Sequence, residues 1–222
     1  MIYAFDDAAG EEFLTLKGEQ HKYLIKVRRH TVGDELYFRN KEAIAKLFKY
    51  KIVSLEPRSA TLELLNSEVT QSQGEGFHLA WCIIDPKSVE KVLASLCEMG
   101  VGRISFIICE RSQKSFKIDF KRLERIVEAS MQQNGRSSFM EFDTYNSIAA
   151  FLKEFPDTQI FDFSERRVGI NEQINRALIG CEGGFSESER ALFAAKSVFG
   201  LSTTNVLRSE SAALAVVAKL TL

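Results

Sequence analysis

Hydrophobic and polar residues follow two different patterns along the chain, one in the first third and another beyond it. In the first third, short segments alternate apolar and polar side chains, as in Thr61-Leu62-Glu63-Leu64, which is typical of half-buried strands. The pattern predicts strands at Ile2–Phe5, Phe13–Leu16, Glu35–Phe38, Ile44–Tyr50, Lys51–Leu55 and Ala60–Leu65. One helix fits Glu19–Arg28, where Leu24, Ile25 and Val27 can pack inward. Short strands at this spacing predict a small β-barrel.

A polar stretch separates this region from the rest of the chain. Residues 66–76 are mostly Ser, Gln, Glu and Gly with almost no apolar side chain, a composition typical of a flexible linker. We place a domain boundary within this stretch. The sequence therefore predicts a barrel domain over residues 1–70 and a second domain over residues 71–222.

Beyond the linker, continuous apolar segments alternate with helical patterns. Phe77–Ile84 is an apolar strand, Pro86 begins a helix that stops before Gly100, and Asp119 caps another helix. Further strands are predicted at Arg103–Cys109, Phe139–Phe142, Gln159–Phe163, Ala177–Gly180 and Ser197–Leu201. Further helices are predicted at Ser147–Glu154, Ser186–Ala195 and Ser209–Leu220. This alternation predicts an α/β fold with a parallel sheet and helices on both faces.

Composition narrows the class of protein. The 222 residues are 45% hydrophobic with a formal net charge of −1, which excludes disorder along the whole chain and a uniformly basic surface. The longest apolar run, Ala212–Ala218, is shorter than a membrane span of roughly 17–25 residues. The segment Met1–Asp7 has no basic region, so we predict no signal peptide and a cytoplasmic protein. Four scattered cysteines and three histidines indicate reduced, buried thiols and no metal site.

Positive charge is concentrated towards the N-terminus. Between Lys17 and Arg58 there are 11 Lys and Arg residues against 5 Asp and Glu residues. An anionic partner at this end of the molecule explains the excess, and so does an ordinary solvated surface.

A glycine-rich segment, Ile179–Ser186, follows a predicted strand and opens a helix with a capping box. Its three glycines let the backbone approach a ligand closely, and the helix N-terminus can receive an acceptor group. The alternative is a strand-to-helix turn that needs glycine for steric reasons. We favour the ligand loop, because such a turn rarely needs three glycines.

A second segment, Leu201–Arg208, also leaves a strand and enters a helix. That final helix carries apolar residues around much of its circumference, so it must be buried against the sheet or against another subunit. A core helix and a dimer interface fit the pattern equally well.

Several familiar catalytic motifs do not occur in the chain. Gly100-Val101-Gly102 begins a possible dinucleotide motif, but Ser105 occupies the third glycine position and the segment follows a helix. No Walker A sequence, G-x-S-x-G elbow or H-E-x-x-H motif is present. The alternative function is an enzyme that uses another nucleotide at the glycine-rich segment, such as a phosphotransferase. The absence of the Walker lysine argues against it.

Six motifs in order along the chain resemble the SPOUT class of methyltransferases. They are His21–Asp34, Lys91 with Glu98–Val101, Glu110–Ser112, Gln132–Arg136, Ile179–Ser186 and Val206–Ala212. Within that class the chain is similar to the family that methylates N3 of one uridine in 16S rRNA with S-adenosylmethionine. The resemblance spans nearly the whole chain. It implies an N-terminal PUA-like barrel, a C-terminal α/β domain with a deep trefoil knot, and a homodimer that binds the small ribosomal subunit.

The resemblance also implies roles for particular residues. Backbone groups of three strand-end loops would hold S-adenosylmethionine. The implied cofactor-binding residues are Phe163, Gly180, Glu182, Gly183, Gly184, Leu201, Val206 and Leu207. Arg208 would stabilise the uridine anion, and Glu210 or Glu182 would accept the N3 proton, although both carboxylates also suit a helix N-terminus. The implied RNA-binding residues are Lys22, Lys26, Arg28, Arg29, Arg111 and Arg136.

The chain departs from the family pattern at several positions. Cys181 replaces a proline, Gln132 replaces a glutamate, Arg28 replaces a leucine, and Asn40 replaces an aspartate. The segment Ser202–Asn205 lacks the glycine and arginine that usually precede the Leu-Arg pair. These departures give some weight to a non-catalytic RNA-binding or ribosome-assembly protein on the same scaffold.

Overall fold

A computed structural model describes residues 2–70, 76–113, 115–169 and 172–222. The chain forms two compact units. The first consists of Met1–Gln73 with Met131–Ser138, and the second of Gly74–Ser130 with Phe139–Leu222.

The first unit contains a five-stranded sheet that curls into half a barrel around its own core. Its strands are β1 (Ala4–Phe5), β2 (Phe13–Lys17), β3 (Glu35–Arg39), β4 (Lys46–Leu55) and β5 (Ser59–Val69), in the order β1-β3-β4-β5-β2. The pair β1–β3 is parallel, and the other pairs are antiparallel. Alternate residues such as Leu14 and Leu16 point into the core, as the period of two predicts.

Three details of this unit differ from the sequence prediction. The two strands predicted at Ile44–Tyr50 and Lys51–Leu55 form one strand, because register shifts let a long strand bend without ending. Strand β5 continues to Val69, so the predicted linker begins within a strand whose last residues are exposed. Residues 71–75 of that linker lie outside the described part of the chain.

The predicted helix at Glu19–Arg28 has two parts. Helix α1 covers only Gly18–His21, and Lys22–Val27 then forms a π-helical turn. The amide of Arg28 donates to the carbonyl of Tyr23 at 2.9 Å, a bond across five residues that widens the helix. The apolar spacing predicted a helix but contained no signal for this widening.

The second unit confirms the predicted parallel α/β sheet. Its strands are β6 (Phe77–Cys82), β7 (Val101–Ile107), β8 (Glu141–Tyr145), β9 (Gln159–Phe161), β10 (Arg176–Ile179) and β11 (Val198–Phe199). All are parallel, in the order β11-β9-β10-β6-β7-β8. The connecting helices are α2 (Pro86–Glu98), α3 (Phe120–Asn134), α4 (Ile148–Glu154), α5 (Glu187–Ala191) and α6 (Ser209–Thr221).

Side-chain caps begin these helices where the sequence predicts. Asp85 precedes Pro86 and accepts the amide of Ser88 at 3.1 Å. Asp119 accepts the amide of Arg122 at 3.1 Å. Ser186 and Glu189 form the predicted capping box at the start of α5. Helix starts are therefore the part of this unit that local sequence predicts best.

A polar network crosses the buried start of strand β6. His78 accepts a hydrogen bond at Nδ1 from Nε of Arg176 at 2.8 Å. Because an arginine only donates, Nδ1 carries no proton, and Nε2–H donates to the hydroxyl of Ser105 at 2.7 Å. Burial, with Arg176 and Arg103 nearby, lowers the pKa of His78 from 6.5 to about 4. The ring is therefore neutral in the folded protein at pH 7.

Candidate functional site

Three loops lie side by side at one edge of the parallel sheet. They follow β9, β10 and β11, which are neighbours in the sheet order. Because parallel strands all end at the same edge, the loops after Phe161, Ile179 and Phe199 meet there. This edge is where ligands bind in open α/β sheets, so the topology brings together the loops that the sequence singled out.

The glycine-rich loop, Gly180–Phe185, follows β10 and lies beside the loop after β9. Gly184 has a φ of +65°, a conformation that disfavours side chains, and its amide donates to the carbonyl of Cys181 at 2.9 Å. Phe185 turns into the core and is buried, whereas Glu182 and Gly183 are exposed. The loop therefore exposes backbone at the surface, while the buried side chain of Phe185 fixes its end to the core.

The loop after β7 holds the glycine-rich loop in place. Arg111, predicted to contact RNA, donates from Nη1 to the carbonyl of Gly183 at 2.8 Å. Glu189 is 5% exposed, and its carboxylate accepts the amides of Glu110 and Ser186, both at 2.8 Å. These bonds form a clasp between the two loops, which we call the loop clasp. Sequence reasoning recognised Glu189 only as a helix cap.

A second link beneath the site joins three elements. Ser209, the first residue of α6, is buried and donates to the carbonyl of Gly180 at 2.6 Å. The same hydroxyl accepts the indole N–H of Trp81, from β6, at 2.8 Å. Sequence reasoning missed both residues. The available signal was a tryptophan within a buried strand, because its N–H needs a polar partner.

The loops after β9 and β11 contact each other closely. Gly200 is required there because a Cβ would overlap the carbonyl oxygen of Ser164. Its amide donates to the carbonyl of Arg166 at 2.8 Å. Two apolar side chains predicted to contact the cofactor protrude from these loops, Phe163 at 76% exposed and Val206 at 78% exposed. Leu201 and Leu207 are half-buried.

Arg208 and Glu210 lie where the third loop enters α6. Arg208 is the N-cap residue in an extended conformation, and its side chain is exposed. Within the described ranges no hydrogen bond or ion pair engages its guanidinium. Glu210 is half-buried in the first helical turn, where a carboxylate is stabilised by the helix dipole. Arg208 is thus a cation available to a ligand.

The first unit carries a cationic segment, defined as the exposed residues Lys22, Lys26, Arg28 and Arg29 on and after the π-helical turn. Arg28 donates to the Tyr23 hydroxyl at 2.9 Å, with its guanidinium 5.4 Å from the ring centre. Arg29 has a φ of +63°, unusual for a residue with a side chain. A cavity of about 690 Å³ opens beside this segment, lined by residues that include Arg28, His30 and Tyr37.

Two predicted residues are not placed with this segment. Arg136 is 5% exposed, and its Nε donates to the carbonyl of Ser138 at 2.8 Å. This burial and this bond give Arg136 a structural role and argue against the expected RNA contact. Gln132 accepts the amide of Phe5 at 3.3 Å, so the replacement of a glutamate there concerns the packing of the first unit.

The described residues contain neither a membrane-spanning helix nor a metal-binding cluster. No helix within residues 2–70, 76–113, 115–169 and 172–222 has the length and apolar content to span a bilayer. Over the same ranges, no group of three or more His, Cys, Asp or Glu residues is arranged to hold a metal ion.

Comparison with known proteins identifies the class. A model of the RNA methyltransferase domain matches residues 72–221. The chain therefore belongs to the RNA methyltransferase family.

Two relatives within this family share the same name. The chain is 31% identical to ribosomal RNA small subunit methyltransferase E of Helicobacter pylori, with 97% of both chains covered. It is 24% identical to the protein of the same name from Aquifex aeolicus, with 97% of this chain and 96% of that one covered.

Solved structures share the fold along the whole chain. A probable rRNA-methyltransferase from Porphyromonas gingivalis has a TM-score of 0.78 at 24% identity and covers 100% of this chain and 98% of its own. Ribosomal RNA small subunit methyltransferase E from Neisseria gonorrhoeae, bound to S-adenosyl methionine, has a TM-score of 0.76 at 20% identity, with 99% and 96% covered. At these identities the likeness concerns the fold.

Proposed function

We propose that this chain is an S-adenosylmethionine-dependent methyltransferase that acts on N3 of a specific uridine in 16S rRNA. Membership of the RNA methyltransferase family and the names of the Helicobacter pylori and Aquifex aeolicus relatives support the activity and the substrate class. The observation that carries the proposal is the clasped glycine-rich loop, exposed at Glu182 and Gly183, at the same sheet edge as two loops with protruding apolar side chains.

The chemistry of this edge fits S-adenosylmethionine. The backbone of the exposed Glu182 and Gly183 and of the half-buried Gly180 and Gly184 suits the polar methionine and ribose groups, because glycines allow close approach. The apolar side chains of Phe163, Leu201, Val206 and Leu207 suit the adenine ring. When bound, the cofactor supplies a methyl group that its sulfonium charge has already activated.

Residues of the chain must deal with the proton on uridine N3. That atom is protonated at neutral pH, so a base must accept its proton before or during transfer. Glu210 is the proposed acceptor, and Glu182 is the alternative carboxylate at the same edge. Arg208, whose guanidinium is unengaged among the described residues, would stabilise the resulting negative charge with directed donors.

The first unit is the proposed RNA-binding module, with the PUA-like character that the resemblance implies. N3 lies on the Watson–Crick edge, so the target base must be unpaired or flipped out. The cationic segment would hold the surrounding phosphates, which positions RNA without reading its sequence. The cavity beside it, with Tyr37 and Arg28 in its lining, offers room for an unstacked base.

Two features of the family belong to the proposal as well. The close approach of Gly200 to Ser164 supports a trefoil knot at this edge, since a knotted chain must pass against itself. Helix α6 buries Ala213, Val216 and Val217, whereas Ala212, Leu214 and Ala218 stay only half-covered. These half-covered apolar residues on either side of the buried stripe support a homodimer, which size-exclusion chromatography with light scattering would reveal.

Transfer of labelled methyl groups tests the function. The purified protein is incubated with S-adenosylmethionine carrying a labelled methyl group and with small subunits that lack the modification. We expect label in 16S rRNA, recovered after nuclease digestion as N3-methyluridine. Label in another nucleoside would overturn the target position, and absence of label would favour the non-catalytic assembly protein. Calorimetry with ATP in place of S-adenosylmethionine tests the alternative function of a phosphotransferase. If the protein bound ATP and not S-adenosylmethionine, the proposed cofactor would be wrong.

A further inference from the structure

Two thiols meet beneath the glycine-rich loop. Cys181 is the second residue of that loop, and Cys109 follows strand β7 in the loop of the clasp. Their Sγ atoms lie 3.4 Å apart, and both residues are buried. Neither thiol has a role in the proposed methyl transfer. Cys181 also replaces the proline of the resembling family, so the pair is a feature of this chain.

The surroundings make the two sulfur atoms unequal. Hydrogen bonding with Cys181, then with Cys82, and the Ser112 hydroxyl at 3.0 Å lower the pKa of Cys109. The same contact with Cys109, together with burial, raises the pKa of Cys181. Cys109 is therefore the more acidic thiol of the pair, and the less acidic Cys181 thiol faces it.

We propose that Cys109 and Cys181 form an oxidisable dithiol pair, which a peroxide converts into a disulfide between the glycine-rich loop and the loop after β7. The Cys109 thiolate attacks a peroxide oxygen, the O–O bond breaks, and the departing hydroxide takes a proton to form water. The Cys181 sulfur then attacks the Cys109 sulfenic acid, the S–O bond breaks, and the second hydroxide leaves as water with the Cys181 proton. Two thiols lose two electrons, and the peroxide is reduced to two waters.

The disulfide changes the position of the glycine-rich loop. An S–S bond is about 2.05 Å long, so the two sulfur atoms must approach each other by more than one ångström. Both residues lie in loops, which can move, whereas the strands before them are fixed in the sheet. Glu182 and Gly183 follow Cys181 directly and must shift with it. The effect on the cofactor rests on the proposed function, but the formation of the disulfide does not.

Mass spectrometry tests the disulfide itself. The reduced full-length protein is treated with hydrogen peroxide, alkylated and digested without reductant. We expect a peptide pair linked through Cys109 and Cys181 that separates on addition of dithiothreitol and is absent from Cys109→Ser. The variant Cys97→Ser, which removes a buried thiol of α2, is the control and retains the link. No linked pair, or a link from Cys109 to Cys82 instead, would overturn the proposal.

Calorimetry tests the effect on the loop. We expect the dissociation constant for S-adenosylmethionine to rise at least tenfold after peroxide treatment and to recover on reduction. Peroxide leaves the affinity of Cys109→Ser where it was. A linked pair with unchanged affinity would overturn the effect on the loop. If the reduced protein does not bind S-adenosylmethionine at all, the proposed function fails, while the linked peptides still decide whether the dithiol exists.

Discussion

Arg111 and Arg208 are two arginines whose surroundings in the structure differ. Both are exposed residues in loops at the same edge of the sheet. Arg111 donates to the carbonyl of Gly183 at 2.8 Å, so its guanidinium stabilises the conformation of the glycine-rich loop. Among the described residues Arg208 has no such partner, and its charge is available to a substrate. The two guanidinium groups therefore have different expected roles.

Replacement of Arg208 tests its role in turnover. In Arg208→Ala we expect turnover to fall about 100-fold, the effect of losing one preorganised donor to a developing anion. The dissociation constant for S-adenosylmethionine should change less than twofold, because the side chain serves the uridine. Lys219→Ala, which removes an exposed cation at the other end of α6, is the matched control for steady-state kinetics. Unchanged turnover in Arg208→Ala would remove the residue from the mechanism.

His78 makes the stability of the fold depend on pH. Its folded pKa of about 4 lies below the ordinary 6.5, so between these values the unfolded chain binds more protons than the folded one. Stability therefore falls as the pH falls through this window. Between pH 7 and pH 5 we expect His78 to account for a loss of about 2 kcal/mol in the free energy of unfolding. Urea denaturation at both pH values measures it.

The matched variant for that measurement is His78→Gln. The glutamine amide can accept from Arg176 and donate to Ser105, but it does not titrate. Its loss of stability between pH 7 and pH 5 should be smaller than that of the wild type. An equal loss in both proteins would show that other groups cause the pH dependence.

Among the elements, the loops at the edge of the parallel sheet are held by side chains from elsewhere in the chain. The glycine-rich loop is fixed by Arg111 and Glu189 through the loop clasp and by Ser209 at the start of α6. A short helix such as α5, with five residues, has little stability of its own. The buried carboxylate of Glu189 therefore stabilises both the start of this helix and the loop after β7.

Loss of the buried carboxylate of Glu189 tests the clasp. In Glu189→Ala the amides of Glu110 and Ser186 lose their acceptor, and each lost partner costs about 1–3 kcal/mol. We expect a decrease of at least 2 kcal/mol in the free energy of unfolding, measured in urea. Glu187→Ala, at an exposed position of the same helix, should differ little from the wild type. A small effect in Glu189→Ala would mean that the clasp does not stabilise the loops.

Local sequence predicted the elements well where one residue determines an element boundary. Asp85, Asp119 and Ser186 begin helices by accepting nearby amides, and such bonds depend on residues three positions apart. The π-helical turn and the continuous strand β4 were not predictable, because bulges and widened turns are settled by packing against the rest of the unit.

For the site, the glycine-rich loop was recognisable from its composition alone. The contacts that fix it were not, because Arg111 and Gly183 are far apart in sequence and meet only through the sheet order. The burial of Arg136 was not predictable, for a similar reason. It depends on the association of Met131–Ser138 with the first unit, and a charged residue gives no sign in the sequence that it will be buried.

In the whole molecule, charge is divided between regions of the chain while the total stays near zero. The formal net charge is −1, yet the cationic segment of the first unit places four exposed positive residues together. A segment of this kind attracts a phosphate backbone and makes binding depend on salt. RNA recognition and methyl transfer are thus proposed for different units of one chain.

Salt dependence tests the cationic segment. For binding to the small-subunit rRNA, each phosphate contact contributes about 0.7–0.9 to the slope of log affinity against log salt concentration. Replacing Lys22 and Lys26 together by alanine should lower that slope by up to about 1.8 and weaken binding. Lys51→Ala, at an exposed cation of β4, is the control for fluorescence-anisotropy titrations. An unchanged slope in the double variant would show that the RNA phosphates do not contact Lys22 and Lys26.

The most direct measurement is mass spectrometry of 16S rRNA from a strain that lacks this gene. We predict that N3-methyluridine disappears from one position of 16S rRNA and returns when the wild-type gene is restored. Restoring the Arg208→Ala gene should leave the position largely unmethylated. If the deletion strain keeps all of its N3-methyluridine in 16S rRNA, the proposed reaction is contradicted.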